Sequence, residues 1–372
     1  MLFSSGFIPG KSRHAVLVER SPLGSHCRKR NKSMTVSTSV SEMRQRLVRY
    51  AELRPCTNAF IDTHSPGSDR KENFTIIGPG VAENPEQYVH IRLPHGFNIG
   101  GARQPAGCTN SQHSHETAEV FVVHTGGFRF KTGEHGTSGH VELGPGDVIS
   151  IPVRAFRGFD TLGAQESFMF SVLGGDDPGH VLWAPYVFET AQQYGLVLLA
   201  SGRLIDLRKG EAIPSDDRPM SMTSAADMAR LKTYDTAAIT ACTVKRAELS
   251  PAPGGPFGRL PGVEECPIIG AANPSEGMPA GRLSWPHGFH LRALRLAPSA
   301  LVPSHARLEP EVLLVHAGSV RLEWADGSLD LGPGDTLTVP VGLNRTYRCI
   351  GGTTAEVYVV RGGDSPSAPR FA

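Results

Sequence analysis

Gly107-Cys-Thr-Asn-Ser-Gln-His113-Ser-His115-Glu-Thr-Ala-Glu119, running on through Val120-Phe-Val-Val123 to Gly126, is the stretch that decides how this chain reads. Alternate side chains of a strand share a face, so a strand here would turn His113, His115 and Glu119 to one side. Two imidazoles and one carboxylate converging in that way form a metal site. The type is the two-histidine, one-carboxylate face with open coordination positions, which suits Fe(II) and also accommodates Mn, Ni, Co or Zn. Without a metal the same histidines would be buried polar residues satisfied by hydrogen bonds. Glu116, out of phase with the three, is expected in solvent.

On either side lie short β-rich runs broken by Gly and Pro: Tyr88–Leu93, Val120–Val123, Phe128–Phe130, Val148–Ile151 and Ser167–Leu173. Many short strands at near-regular spacing predict a β-sandwich or barrel. The texture returns after Pro286 as an internal repeat. Pro94-His-Gly-Phe97 recurs as Pro286-His-Gly-Phe289, and the same register lays His113 on His305, Glu119 on Glu311, His124 on His316 and Gly126 on Gly318. After a shorter hairpin, Leu143-Gly-Pro-Gly-Asp147 falls on Leu331-Gly-Pro-Gly-Asp335 and Pro152 on Pro340. Such coincidences mark a duplicated domain.

The Gly107–Gly126 stretch resembles the first conserved motif of the cupin superfamily, and Gly146-Asp-Val-Ile-Ser-Ile-Pro152 resembles the second. The resemblance covers most of Thr75–Leu173 and, more weakly, Trp285–Arg361. It implies an all-β chain of two cupin jelly-roll barrels in tandem with a few short peripheral helices. It also allows a homodimer built by strand exchange, an interface that two fused barrels can satisfy within one chain. The family places a fourth histidine ligand shortly after the second motif, where this chain has Arg157. A guanidinium stays protonated and cannot coordinate a cation. Arg157 is therefore expected to grip an anionic substrate beside a three-ligand metal. The rival reading pairs Arg157 with Glu119 in place of the metal.

In the second half the equivalent positions are His305, Arg307, Glu311 and Arg345, a set that predicts an ion-pair network rather than a metal site. His95, His287, His124 and His316 are expected in turns or core, and Trp183, Pro185 and Tyr186 in packing.

Lys and Arg number 37 against 36 Asp and Glu, so the net charge of +1 favours a small-molecule partner over nucleic acid or a membrane surface. No apolar run is long enough to cross a bilayer. The six scattered cysteines form no CxxC pair and read as reduced thiols of a cytoplasmic protein. GxSxG, GxxxxGK[ST] and a dinucleotide-type GxGxxG are lacking, which leaves phosphoryl and hydride transfer without support.

The expected organisation is a basic extension over 1–33, read as disordered ahead of a start at Met34 with a transit peptide as the alternative, a first barrel over 34–180, a connecting segment over 181–255 and a second barrel over 256–364. A short helix over Ser41–Leu53, capped by Ser41, is expected on the outside of the first barrel, with further helical pieces near 186–194 and 224–231. The function implied is a metal-dependent dioxygenase-type oxidoreductase with His113, His115 and Glu119 on the metal and Arg157 on a small anionic or enolisable substrate. Two alternatives stand beside it: a metal-dependent isomerase, lyase or decarboxylase, and a non-catalytic small-molecule-binding protein.

Overall fold

Burial along the strands separates two kinds of sheet. In Gly127–Thr132 and Gly139–Leu143, and again in Val320–Trp324, buried side chains alternate with more exposed ones, the pattern of a sheet with one wet face. In Glu119–Thr125 and Glu311–Ala317 every residue but the last is buried, so these sheets are covered on both faces. The computed structural model explains the difference: it describes residues 36–372, and each doubly buried sheet faces its own barrel interior on one side and the other barrel on the other. The extension expected over 1–33 lies outside the described residues.

The first barrel closes a five-stranded sheet against a seven-stranded one. The first runs Leu182–Trp183, Thr109–Ser114, Arg157–Leu162, Gly127–Thr132, Gly139–Leu143, and the second is centred on Glu119–Thr125, Ser167–Gly174 and Phe97–Gln104. The second barrel repeats this with a five-stranded sheet around Val320–Trp324 and Arg345–Cys349 and a six-stranded one around Glu311–Ala317, Ala355–Gly362 and Phe289–Leu296. Phe121 and Val123 point into the first barrel with Phe128, Phe130 and Phe159, while Val120 and Val122, one residue out of phase, join a cluster shared with Val312, Leu314, Leu291 and Val360 of the second. The two barrels therefore share a core.

The interface is reciprocal. Leu47–Val48 precedes the first barrel but pairs with Thr336–Leu337 of the second, and Thr243–Val244 precedes the second but pairs with Val148–Ile149 of the first. Both arms are held by the aspartate that ends a repeated Leu-Gly-Pro-Gly-Asp turn. Asp335 accepts from the backbone N–H groups of Gly332 at 2.9 Å and Tyr50 at 3.1 Å and pairs with Arg49 at 2.6 Å. Asp147 accepts from those of Gly144 and Arg246, both at 2.9 Å, and pairs with Lys245 at 2.9 Å. The repeated histidines also cross over: His287 Nε2 meets Ser150 Oγ at 2.7 Å, and His95 Nε2 meets the equivalent Thr338 Oγ1. Gly174 and Gly362 permit this approach, since a Cβ on the first would lie 2.6 Å from the His287 carbonyl oxygen and one on the second 3.0 Å from that of His95.

The helix expected over Ser41–Leu53 is shorter and sits elsewhere. It spans Val40–Arg44, its cap is Ser39, whose hydroxyl accepts from Glu42 N–H at 3.2 Å, and it packs on the second barrel. Pairing of Leu47–Val48 with the second barrel's sheet overrides local helix propensity. Helices at Pro185–Gln193 and Ala225–Met228 fall where expected. The five cysteines among the described residues are free, and no helix among them is long and apolar enough to cross a membrane.

Because Ile268 is fully buried in the shared cluster, Ile268→Ala should cost about 2–5 kcal/mol. Calorimetry should show one transition moved to lower temperature; a second barrel that melts separately would contradict the shared core.

Candidate metal centre

His113 lies in Thr109–Ser114, flanked in register by Arg157 on one side and Trp183 on the other. His115 follows just beyond the strand's end, while Glu119 opens the next strand, which belongs to the facing sheet. Alternation along a single strand is thus not what unites the three. Two sheets of one barrel, joined by the tight turn at 116–118, bring them together with their ligand atoms all within 4.8 Å of one another. Glu116 is exposed on that turn, as expected.

His113 Nδ1 lies 2.7 Å from the Ser111 carbonyl oxygen, so it donates there and leaves Nε2 as the lone pair. His115 Nε2 is 3.5 Å from a Glu119 oxygen, and its Nδ1 is buried with no hydrogen-bond partner. Burial, with Arg157 beside them, holds both imidazoles well below the usual histidine range, so both are neutral and able to ligate.

Arg157 does not face an open pocket. It is fully buried, donates to the His113 carbonyl oxygen at 2.8 Å, and its other terminal nitrogen pairs with Glu119 Oε2. The expected grip on substrate gives way to an ion pair because Glu119 is the carboxylate within reach and a buried cation must be paired. The second barrel forms the predicted network: Arg345 and the Tyr347 hydroxyl bind Glu311, with Arg307 at 3.8 Å.

The two networks differ in strength. Burial raises the Glu311 carboxyl, but Arg345 and Arg307 outweigh it and hold the group at about 2. Burial also raises Glu119, and its one arginine does not bring it back to the ordinary range. Glu119 is paired by one arginine on one oxygen and keeps the other turned to His115, whereas both oxygens of Glu311 face arginines, so only the first set leaves a carboxylate oxygen for a metal. Two neutral imidazoles and this carboxylate fit a divalent metal.

Among solved structures, the chain matches a deletion mutant of the Bacillus subtilis oxalate decarboxylase with a TM-score of 0.53 at 12% identity, over 91% of this chain and 80% of that one. It matches the formate complex of the Lactobacillus farciminis oxalate decarboxylase with a TM-score of 0.51 at 12% identity, over 90% and 88%. The fold is that of a bicupin. No family model matches the sequence, and no curated protein matches it either.

Within the first barrel, His113, His115 and Glu119 line a cavity of about 70 Å3 with Asn110, Phe121 and Phe159. His115 also borders an outer cleft of about 410 Å3, walled by Glu116, Arg154, His180 and Arg230. The imidazole thus stands between the inner cavity and the approach to it. Arg154 takes a left-handed φ of 65°, an uncommon conformation for a side chain of its size. A larger hollow of about 740 Å3 lies at the seam between the barrels, lined by Arg46, Arg92 and Thr338, away from the ligand set.

Trp183 does more than pack. Its ring lies 5.0 Å from that of His113, and its Nε1 donates to Glu83 at 2.6 Å. Glu83 also accepts from Ile61 N–H at 2.8 Å, and burial pushes its carboxyl up to about 8. Nothing in the spacing of Glu83 marked it; an acidic residue in an apolar turn, Val81-Ala-Glu83, is the one available signal.

An arginine facing an open pocket would be lost at little cost, whereas one paired in the core would not. Arg157→Gln should therefore destabilise the metal-free protein by about 3–5 kcal/mol, on the scale of Arg345→Gln, with the two compared by urea unfolding. A change below 1 kcal/mol for Arg157→Gln alone would contradict the buried pair.

Proposed function

We propose that the first barrel is a metal-dependent lyase site that decarboxylates a small dianionic carboxylate. The observation that carries this reading is the convergence of His113, His115 and Glu119 within 4.8 Å in a barrel where Arg157 already balances Glu119. A divalent ion held by those three residues would add two uncompensated positive charges to a closed space, and a small dianion neutralises them. A cavity of about 70 Å3 favours a molecule of few heavy atoms, being well below the roughly 300–1,000 Å3 of pockets for drug-sized ligands. The structural neighbours' names add weight to decarboxylation over the dioxygenase reading, since both are oxalate decarboxylases.

The bound metal would supply Lewis-acid polarisation of a substrate carboxylate. The chain's own residues do the rest. His113 is oriented by the Ser111 carbonyl, Arg157 fixes one oxygen of Glu119 and leaves the other for the metal, and Phe121 and Phe159 keep bulk water out of the cavity. The donor set of nitrogen and oxygen suits Mn, Fe(II), Co, Ni or Zn.

Elemental analysis should find close to one divalent transition-metal ion per chain, and His115→Ala or Glu119→Gln should lower it sharply without unfolding the protein. Loaded protein should release carbon dioxide from oxalate or malonate without stoichiometric oxygen uptake, and His113→Ala should abolish the release. Protein that stays metal-free after incubation with manganese, iron, nickel and zinc would overturn the metal reading. Oxygen consumed in step with substrate would return the site to the dioxygenase class.

A further inference from the structure

The inside of the second barrel holds a carboxylate in a cage of guanidinium groups. Glu276 ends the short turn Pro274–Glu276, with Gly277 following at a φ of 67°. Its side chain is fully buried and takes hydrogen bonds from three arginines. Arg361 grips it with both terminal nitrogens, at 2.9 and 3.1 Å. Arg307 reaches the first oxygen at 2.6 Å and Arg292 the second, which also accepts from the Asn273 amide at 3.1 Å. This is how a protein recognises a bound carboxylate: planar, forked donors closing on both oxygens from several directions. Burial raises the group, and the arginines outweigh it and hold it at about 2, so it is a full anion.

The location of the cage gives it meaning. The repeat register that lays Pro94 on Pro286 lays Gly100 on Arg292 and His115 on Arg307. The strand pairing that sets Gly174 opposite Phe97 and Gly362 opposite Phe289 lays Leu173 on Arg361. Gly100, His115 and Leu173 all line the inner cavity of the first barrel. Where one barrel keeps a hollow beside its ligand set, the other has three guanidinium groups closed on a carboxylate. The strand pairing that sets Thr75 opposite Gly100 and Pro267 opposite Arg292 lays the turn Pro274–Glu276 on Ala82–Asn84, of which Ala82 lines the first cavity.

We propose that the second barrel is a carboxylate-binding site filled in cis, with Glu276 as its built-in ligand. Its specificity is for a small monocarboxylate, because the cage offers donors to two oxygens and its other acids, Glu265, Glu309 and Glu311, already engage the outer sides of the same arginines. Removing Glu276 leaves the guanidinium groups one negative charge short and opens a space shaped for an acid of acetate or propionate size. The cage needs no metal and is independent of the first barrel's activity.

The test uses the full chain. Glu276→Ala should lower the melting temperature by several degrees, and acetate or propionate should restore half or more of the loss in a saturable way, while chloride at equal ionic strength does not. Wild type should not respond to either acid. Glu276→Gln fills the space without the charge, and should be destabilised but not restored. If Glu276→Ala does not fold in chloride, refolding from urea with and without excess propionate reads the same property: recovery only with the acid supports the site, and equal failure overturns it. Rescue of equal size by chloride, or an equal response of wild type and variant to acetate, also overturns it.

Discussion

A carboxylate at the end of each Leu-Gly-Pro-Gly-Asp turn holds this chain together. Asp147 and Asp335 each cap their own turn and capture the arm that leads into the other barrel, through a backbone N–H and a basic side chain. With the arms in place, the large sheets are brought face to face and Val120, Val122, Val312 and Leu314 are sealed from water. The apolar area buried there is the main stabilising term, but the aspartates decide which strands meet. The rigidity needed to hold His113 and Glu119 on opposing sheets of one barrel follows from that closure.

The two interiors show how one scaffold reaches opposite electrostatic ends. Both barrels place a glutamate across from an arginine, Glu119 with Arg157 and Glu311 with Arg345. In the second, Arg307 stands where the first has His115 and Tyr347 adds a hydroxyl, so the carboxylate is saturated. In the first, the histidine is neutral and one oxygen of the carboxylate is left facing it rather than an arginine. Two exchanges, imidazole for guanidinium and the Phe159 ring for the Tyr347 phenol, separate a receptive site from a closed one.

Much of this was legible in the residues. The doubled Pro-His-Gly-Phe and Leu-Gly-Pro-Gly-Asp turns give the tandem barrels, and the strands Val148–Ile151 and Ser167–Gly174 lie where the β-rich runs placed them. The ligand trio was also legible, though for an incomplete reason, since a local rule of alternation cannot foresee that Glu119 belongs to the facing sheet. Long-range pairing hid the rest. Val48-Arg-Tyr-Ala-Glu-Leu53 and Val244-Lys-Arg-Ala-Glu-Leu249 are a second repeat, masked in the first copy by a helix-like pattern that tertiary pairing overrode. Arg157 could be assigned to a substrate or to Glu119 but not decided between them, because a sequence does not reveal whether a cation's nearest carboxylate is a metal ligand or its partner. Glu276 left no trace at all, because its three arginines lie 16 to 85 residues away in sequence.

The crossed arms also change what it means to cut this chain. The exposed stretch around Ile213–Arg218 lies between the barrels in sequence, and a protease would find it accessible. Cleavage there would sever the backbone without releasing either piece. The upstream fragment would keep Leu47–Val48 laced into the downstream barrel's sheet, and the downstream fragment would keep Thr243–Val244 laced into the upstream one. The nicked molecule would persist as a mutually threaded heterodimer, its interior chemistry undisturbed.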